Sequence, residues 1–335
     1  MKKFNSTFKI IAEIGCNHEG SFEKAVELTQ LAADAGADIV KYQSYTPERF
    51  ISADNPDRLE RVRRFSLTKE NYLELKKIAN QRGILFMSTP VTEDWVEFLN
   101  PLCCAFKIAS GDITFKPVIK AAAKTDKRII LSTGAATLDE IDQAIEWIQE
   151  EAGVSGLEEK LTLMHCVSAY PTPVEEANIL SIPFLKERYG VDIGYSNHVM
   201  GIAACLAATA LGATLIEVHF TDEKEGRLFR DHLISFDPND LKNFVKLAKE
   251  VRLSLGKYEK KVQSCESENI HLMRKGIVAA KEIEAGDVLT EDNLMFSRPA
   301  TEFCALDLNL ILGKKVKRNF KYGQIISRDA ITCAE

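Results

Sequence analysis

The chain has 335 residues, long for one ordinary domain and suited to a large domain with a small companion. Its hydrophobic share of 45% and charged share of 27% fit a soluble globular protein, and a formal charge of −6 with no prominent Lys/Arg run argues against nucleic acid as a partner. No apolar run reaches membrane-spanning length, MKKFNSTFKI lacks the apolar core of a signal peptide, and Cys16, Cys103, Cys104, Cys166, Cys205, Cys265, Cys304 and Cys333 form no CxxC pair, so reduced thiols, a cytoplasmic location and no membrane partner are expected.

The first predicted strand is Phe8 to Gly15. A helix follows from Ser21 to Ala35, with Ser21 as N-cap and Gly36 as its stop. The alternation then repeats. Strands are predicted at 38–44, 84–89, 105–110, 128–133 and 161–167, and helices at 69–81, 92–99, 116–123, 138–151 and 178–188. The stretch IGYSNHVMGIAACLAATALGATLIEVHFT (193–221) supplies two more strands around an apolar helix, and a last helix runs from Pro238 to Leu255 before Gly256. Eight strand–helix units within about 250 residues predict a closed (β/α)8 TIM barrel. An open doubly wound sheet is the alternative, but Gly15-Cys16-Asn17-His18-Glu19-Gly20 is not the GxGxxG loop such a sheet usually carries after its first strand.

The insert Thr46 to Ser66, with its RLERVRR run, reads as a loop with a solvated helix. The barrel is assigned to residues 1–258 and an irregular polar linker to 259–273. A small domain of short β-like runs follows at 274–335, with turn signals at Glu284-Ala285-Gly286-Asp287 and Lys321-Tyr322-Gly323-Gln324.

Function in a barrel sits at the C-terminal strand ends. Those ends read Glu13 and Asn17; Lys41 and Gln43; Ser88 and Thr89; Lys107, Ser110 and Asp112; Ser132 and Thr133; Ser168 and Tyr170; Ser196 and His198; Glu217 and His219. Lysines inside apolar strands need anionic partners. Lys41 and Lys107, with Thr89, Ser110 and Ser132, suit a phosphate and a carboxylate on one ligand; alternatively each pairs internally with Glu13, Asp112 or Glu217. His198 and His219 end consecutive strands and are suited to bind a divalent metal, or stand there as unrelated residues. Asp231 follows the last strand and is placed to meet a hydroxyl or a proton. His232 reads as a loop histidine, His165 as core, His271 as solvated, and His18 as able to face the mouth.

The segments IAEIGCNHEGS, AGADIVKYQ, FKIASGD, LSTGAA, HCVSAYPTP, GYSNH, GATLIEVHFT and RDHLISFDP, then GIVAAKEIEAGDVLTEDNL, SRP and LGKKVKRNFKYGQII, occur in this order over nearly the whole chain. The chain thereby resembles the sialic acid synthases, which condense phosphoenolpyruvate with an N-acyl hexosamine to form a nonulosonic acid. Its C-terminal part is similar to type III antifreeze proteins (an SAF, β-clip domain). The resemblance implies that His198 and His219 bind Mn²⁺, or another divalent ion such as Mg²⁺ or Co²⁺. It implies that Lys41, Thr89, Lys107, Ser110, Ser132 and Ser196 hold phosphoenolpyruvate, and that Gln43, Asp112, Tyr170 and Asp231 contact the amino-sugar. It further implies that Arg298 enters the site of the other subunit of a domain-swapped homodimer. Ser168, near the phosphate, stands where Asn is frequent in the family, Asp112 where Glu is common, and Met273 where a bulky residue is placed to cover the sugar. These departures bear on the identity of the sugar. Glu13, Asp112 and Glu217 are candidates to activate the water. The rival readings are a Schiff-base aldolase using Lys41 or Lys107, another phosphoenolpyruvate-condensing synthase acting on a sugar phosphate, and a non-catalytic sugar-phosphate-binding scaffold.

Overall fold

A computed structural model describes residues 8–153, 156–227 and 229–332. Cys333 lies outside them. The chain divides into two compact units that part between Gly256 and Lys257.

In the first unit eight parallel strands close into a barrel: β1 (Lys9–Gly15), β2 (Ile39–Ser44), β3 (Leu85–Pro90), β4 (Ala105–Ile108), β5 (Arg128–Ser132), β6 (Leu161–His165), β7 (Asp192–Asn197) and β8 (Leu215–His219). Each strand pairs with the next in sequence, and β8 closes on β1. The expected helices at 69–81, 116–123 and 238–255 occur with those bounds. Ser21 caps the Phe22–Asp34 helix by accepting from the Lys24 amide.

The period-two alternation of each strand builds the barrel in tiers. Ile11, Ile39, Met87, Ala105, Ile130, Met164 and Leu215 form a buried apolar cluster. Two residues further along the same strands, on the same face, come Glu13, Lys41, Thr89, Lys107, Ser132, Cys166 and Glu217. At the apolar level of β7 stands Gly194, where an added Cβ would lie 2.9 Å from the Met164 and Leu215 side chains, so only glycine fits. Outward-facing residues such as Val40, Tyr42, Phe86, Phe106 and Leu163 pack with the surrounding helices in a separate, larger core. The charged tier thus rests on a filled hydrocarbon floor and opens only toward the C-terminal strand ends.

The insert after β2 departs from the expected solvated loop. It forms the short helix Pro47–Phe50 and the helix Pro56–Phe65, whose Leu59, Val62 and Phe65 are buried. One face of the arginine-rich run is therefore packed.

In the second unit β9 (Gly276–Ala279) pairs antiparallel with β10 (Leu294–Ser297), over a core that includes Ile277, Leu289, Phe303, Ile311, Phe320 and Ile326. Both expected turns are present: the Asp287 amide donates to Glu284 O and the Gln324 amide to Lys321 O, with Gly286 and Gly323 at positive φ. The segment expected to be irregular contains two helical turns, Ser264–Asn269 and Ile270–Met273.

Candidate active site

A cavity of about 1180 Å³ opens above the charged tier. Strand register sets its floor: Glu13 lies level with Lys41 on one side and with His219 on the other, and Ser196 lies beside Glu217. The four charged groups of the floor are almost wholly inaccessible, at 1% for Glu13, 2% for Lys41, 4% for Lys107 and 3% for Glu217. Charges so deep must be matched. Lys41 Nζ meets Glu13 Oε2 at 2.5 Å and Glu217 Oε2 at 3.7 Å, and it donates to Thr89 Oγ1 at 3.0 Å. Lys107 Nζ lies 2.8 Å from Glu217 Oε1, which also accepts from Ser196 Oγ at 3.0 Å. Burial works to raise the Glu217 carboxyl, but Lys107 and Lys41 outweigh it and hold it below the ordinary range. Of the partners left open for the lysines, these two carboxylates are the ones met, and Asp112 is not.

Above the floor the His198 and His219 ring centroids are 5.5 Å apart, so the strand ends do bring the pair together. His198 Nδ1 lies 2.6 Å from Val167 O. A carbonyl only accepts, so Nδ1 carries the proton and Nε2 presents a lone pair. Burial, then the nearby His219, lowers the His198 pKa to about 3, keeping the ring neutral. His219 Nδ1 is buried without a hydrogen bond and faces Asp231 Oδ2 at 3.9 Å. The His198 Nε2 lone pair, with the second imidazole beside it, suits a divalent metal. Among the described residues no group of three or more His, Cys, Asp or Glu is gathered to enclose one. An ion held by this pair would therefore take its remaining ligands from substrate or water, as open catalytic sites do.

Other wall atoms are also unsatisfied. Ser132 Oγ, Glu217 Oε2 and Asp231 Oδ1 are buried without a hydrogen-bond partner. Buried polar atoms normally have partners, so orphans gathered around one cavity point to a polar ligand. The Gly134 amide donates to Ser110 Oγ at 3.0 Å, and a Cβ on Gly134 would lie 2.5 Å from Ser168 Oγ and 2.7 Å from Cys166 Sγ. Tyr170 leans on His198 with ring centroids 4.1 Å apart, and the Arg230 guanidinium lies 5.0 Å from the Tyr170 ring centroid.

The model of the NeuB family matches residues 28–260, most of the chain. The chain belongs to the NeuB family. An SAF domain model matches residues 274–332, within the second unit. The chain is similar to the N,N'-diacetyllegionaminic acid synthase of Campylobacter jejuni, 38% identical over 95% of this chain and 98% of that protein. It is similar to the pseudaminic acid synthase of Helicobacter pylori, 34% identical over 96% of this chain and 97% of that one. Among solved structures, an N-acetylneuraminic acid synthetase from Leptospira borgpetersenii, in complex with citrate, superposes with a TM-score of 0.73 at 34% identity, covering 79% of this chain and 90% of its own.

In this NeuB chain Glu13, Lys41, Gln43, Thr89, Lys107, Ser110, Ser132, Ser168, Tyr170, Ser196, His198, Glu217, His219 and Asp231 all line the cavity. Asp112 does not, although Ser110, Gly111, Ile113 and Thr114 on either side of it do. Arg298 lies in the second unit, exposed, with Nε donating to Met273 O at 2.5 Å.

Three histidine expectations separate here. His165 is core, its Nε2 2.9 Å from Ala177 O. His18 is buried, its Nδ1 accepts from the Gly20 amide, and it does not line the cavity. His232 is no free loop residue: Nε2 lies 3.0 Å from Glu19 Oε1 and Nδ1 lies 2.7 Å from Thr221 Oγ1, which ties the segment carrying Asp231 to the β1 and β8 ends. Sequence reasoning also missed Arg58, Arg61, Arg64 and Arg230 in the cavity wall. The three-residue spacing of the first three is the signal that puts them on one helix face.

Burial raises the Asp112 carboxyl to about 6. Its folded value exceeds its unfolded one, so keeping it ionised costs stability: nothing below about pH 4, and the full amount above about pH 6. Asp112→Asn is expected to be more stable than wild type at pH 8 by on the order of 1 kcal/mol, allowing for partial exposure, and to lose that advantage at pH 4. Urea unfolding at the two pH values checks this; equal differences at both would remove burial as the cause.

Proposed function

We propose that the chain is a nonulosonic acid synthase that condenses phosphoenolpyruvate with an N-acyl amino-hexose and releases phosphate. The observation that carries this reading is the buried Lys41–Glu13 and Lys107–Glu217 tier beneath two neighbouring imidazoles: a receptor for a compact dianionic group beside a place for an electrophile. The names of the Campylobacter and Helicobacter relatives support a di-N-acyl deoxyhexose as acceptor; N-acetylmannosamine is the other candidate.

In this mechanism Lys41 and Lys107 hold the phosphate and carboxylate, and Thr89, Ser110, Ser132, Ser168 and Ser196 orient them through their hydroxyls. Gln43, Tyr170 and Asp231 hold the open-chain sugar so that its aldehyde carbon faces C3 of phosphoenolpyruvate. His198 and His219 would hold a divalent ion, Mn²⁺ or else Mg²⁺ or Co²⁺, whose chemistry when bound would be Lewis-acid polarisation of an aldehyde. C3 bonds to the aldehyde carbon as the C=O π bond opens and its oxygen takes a proton to become a hydroxyl, and water adds at C2 while Glu13 or Glu217 takes its proton. Cleavage of the C2–O bond then expels phosphate and leaves the 2-keto acid. We place the enzyme in the cytoplasm, a reading supported by free thiols at all seven described cysteines. We also read it as a homodimer in which Arg298 of each subunit completes the cavity of the other.

Phosphate release from phosphoenolpyruvate, with a panel of N-acyl hexosamines with and without a 6-phosphate, tests the reaction. Turnover should vanish on exhaustive chelation and return with Mn²⁺. Borohydride trapping of an imine on Lys41 or Lys107 would move the assignment to a Schiff-base aldolase.

A further inference from the structure

We propose that the Arg58–Arg61–Arg64 face of the Pro56–Phe65 helix is an electrostatic capture surface that draws phosphoenolpyruvate into the cavity. The inference rests on the reaction just proposed, because it needs that anionic substrate.

The floor cannot do the drawing. Its two lysines are matched by Glu13 and Glu217, and Asp231 lies in the same wall. Seen from solution, the floor offers an anion little net attraction, and the protein as a whole carries −6. A substrate bearing a phosphate and a carboxylate approaches against that charge unless the mouth is locally positive.

The mouth has unneutralised cations. Arg58, Arg61 and Arg64 all line the cavity, and no ion pair forms on any of them among the described residues. Arg63, on the same helix but absent from the cavity wall, is paired: with Glu48 at 2.9 Å and Glu60 at 3.8 Å. The helix thus sends its paired arginine away from the opening and its unpaired ones toward it. Arg58 and Arg64 rest against the rings of Phe50 and Phe65, at 5.8 and 5.2 Å from the centroids. Both rings belong to the wall, so they support the guanidinium groups without cancelling their charge. The remaining arginine of the wall, Arg230, already has Asp231 at 3.4 Å. Two acids share the opening, Glu19 beside His232 and Glu140 held by the Thr137 hydroxyl and amide; these hydrogen bonds leave both carboxylates charged, so the three arginines outweigh them by one positive charge.

The buried side of this helix explains how the arginines are aimed. Leu59, Val62 and Phe65 anchor it, which fixes the rotation of the residues between them. Charges within about 10 Å of the entrance act on an incoming anion at low salt and fade as salt shortens the screening length.

The test is kinetic, with calorimetric binding of phosphoenolpyruvate as a readout independent of turnover. In wild type, kcat/KM for phosphoenolpyruvate should fall steeply from 20 to 500 mM NaCl (roughly the span over which screening takes hold). The triple variant R58Q/R61Q/R64Q should lower it at low salt by on the order of tenfold. It should also flatten the salt dependence and weaken calorimetric binding, leaving the KM for the sugar in place. R58K/R61K/R64K should retain most of the wild-type behaviour. If the triple variant does not fold, Arg61→Glu alone should show the same signature. A variant with the wild-type salt slope and phosphoenolpyruvate affinity overturns the proposal. So does a rise confined to the KM of the sugar, which would assign the face to the acceptor. If wild type neither binds nor consumes phosphoenolpyruvate, it is the proposed reaction that fails.

Discussion

Glu217→Gln is expected to lower stability by about 3–5 kcal/mol and to cut turnover by about a hundredfold or more. Glu217 sits between two cations in the barrel floor: Lys107 at 2.8 Å and Lys41 at 3.7 Å. Lys41 keeps Glu13 when Glu217 is neutralised, but Lys107 has no second acid within ion-pair distance among the described residues. The variant therefore buries an ammonium group without an anion, which is the costly way to break a pair. A ligand that brings its own charge should offset the loss. Saturating phosphoenolpyruvate is accordingly expected to raise the melting temperature of Glu217→Gln more than that of wild type, since it binds the folded state and supplies the missing anion there. The sign with pH follows from the depressed carboxyl. Its contribution is present above the unfolded value near 4.5 and is lost as pH falls, so wild type and variant should converge in acid. Thermal melts with and without ligand decide the matter; a variant within 1 kcal/mol of wild type near neutral pH (well under the usual cost of an unpaired buried charge) would show that Lys107 finds another partner.

Restoration of activity by mixing two dead proteins is the second large effect expected. Arg298→Ala and His198→Ala homodimers should each be nearly inactive. Dissociated and reassociated in equal amounts, they should recover about a quarter of wild-type activity, because half of the dimers are mixed and each mixed dimer has one intact site. This outcome requires that the residue from the SAF unit and the residue from the barrel unit act in different subunits. Mixed dimers confirmed by mass but inactive would confine each site to one chain.

Much of the barrel could be read from the chain alone, for a physical reason. Strands covered on both faces are apolar throughout, so a lone Lys41, Lys107 or Glu217 inside one stands out, and period two shows that these residues share a face with the apolar tier below. The histidine pair was legible because a strand–helix–strand unit sets the ends of β7 and β8 side by side. What the lysines bind was not legible, since the choice between Glu13, Asp112 and Glu217 depends on which strands meet when the barrel closes. The partner of His232 was not legible because Glu19 lies 213 residues away. Asp112 was misplaced because the tight Ser110–Asp112 turn, not strand alternation, decides which of its residues line the cavity. The arginine run was taken as solvated because counting charges does not give helical phase; the interleaved Leu59, Val62 and Phe65 do.

The filled tier beneath Glu13, Lys41, Lys107 and Glu217 has a bearing on how such a protein can change over generations. The four charges are contributed by β1, β2, β4 and β8, and each carboxylate answers to a lysine on another strand. A substitution at one is felt by its neighbours, because it leaves a buried charge without its partner. The segments that frame the entrance, at 46–66 and 229–235, lie outside that ionic unit, so a substitution there leaves the four charges matched. Novelty in the accepted sugar then has a cheap route through the rim, while the chemistry below is held fixed by its own electrostatic interdependence.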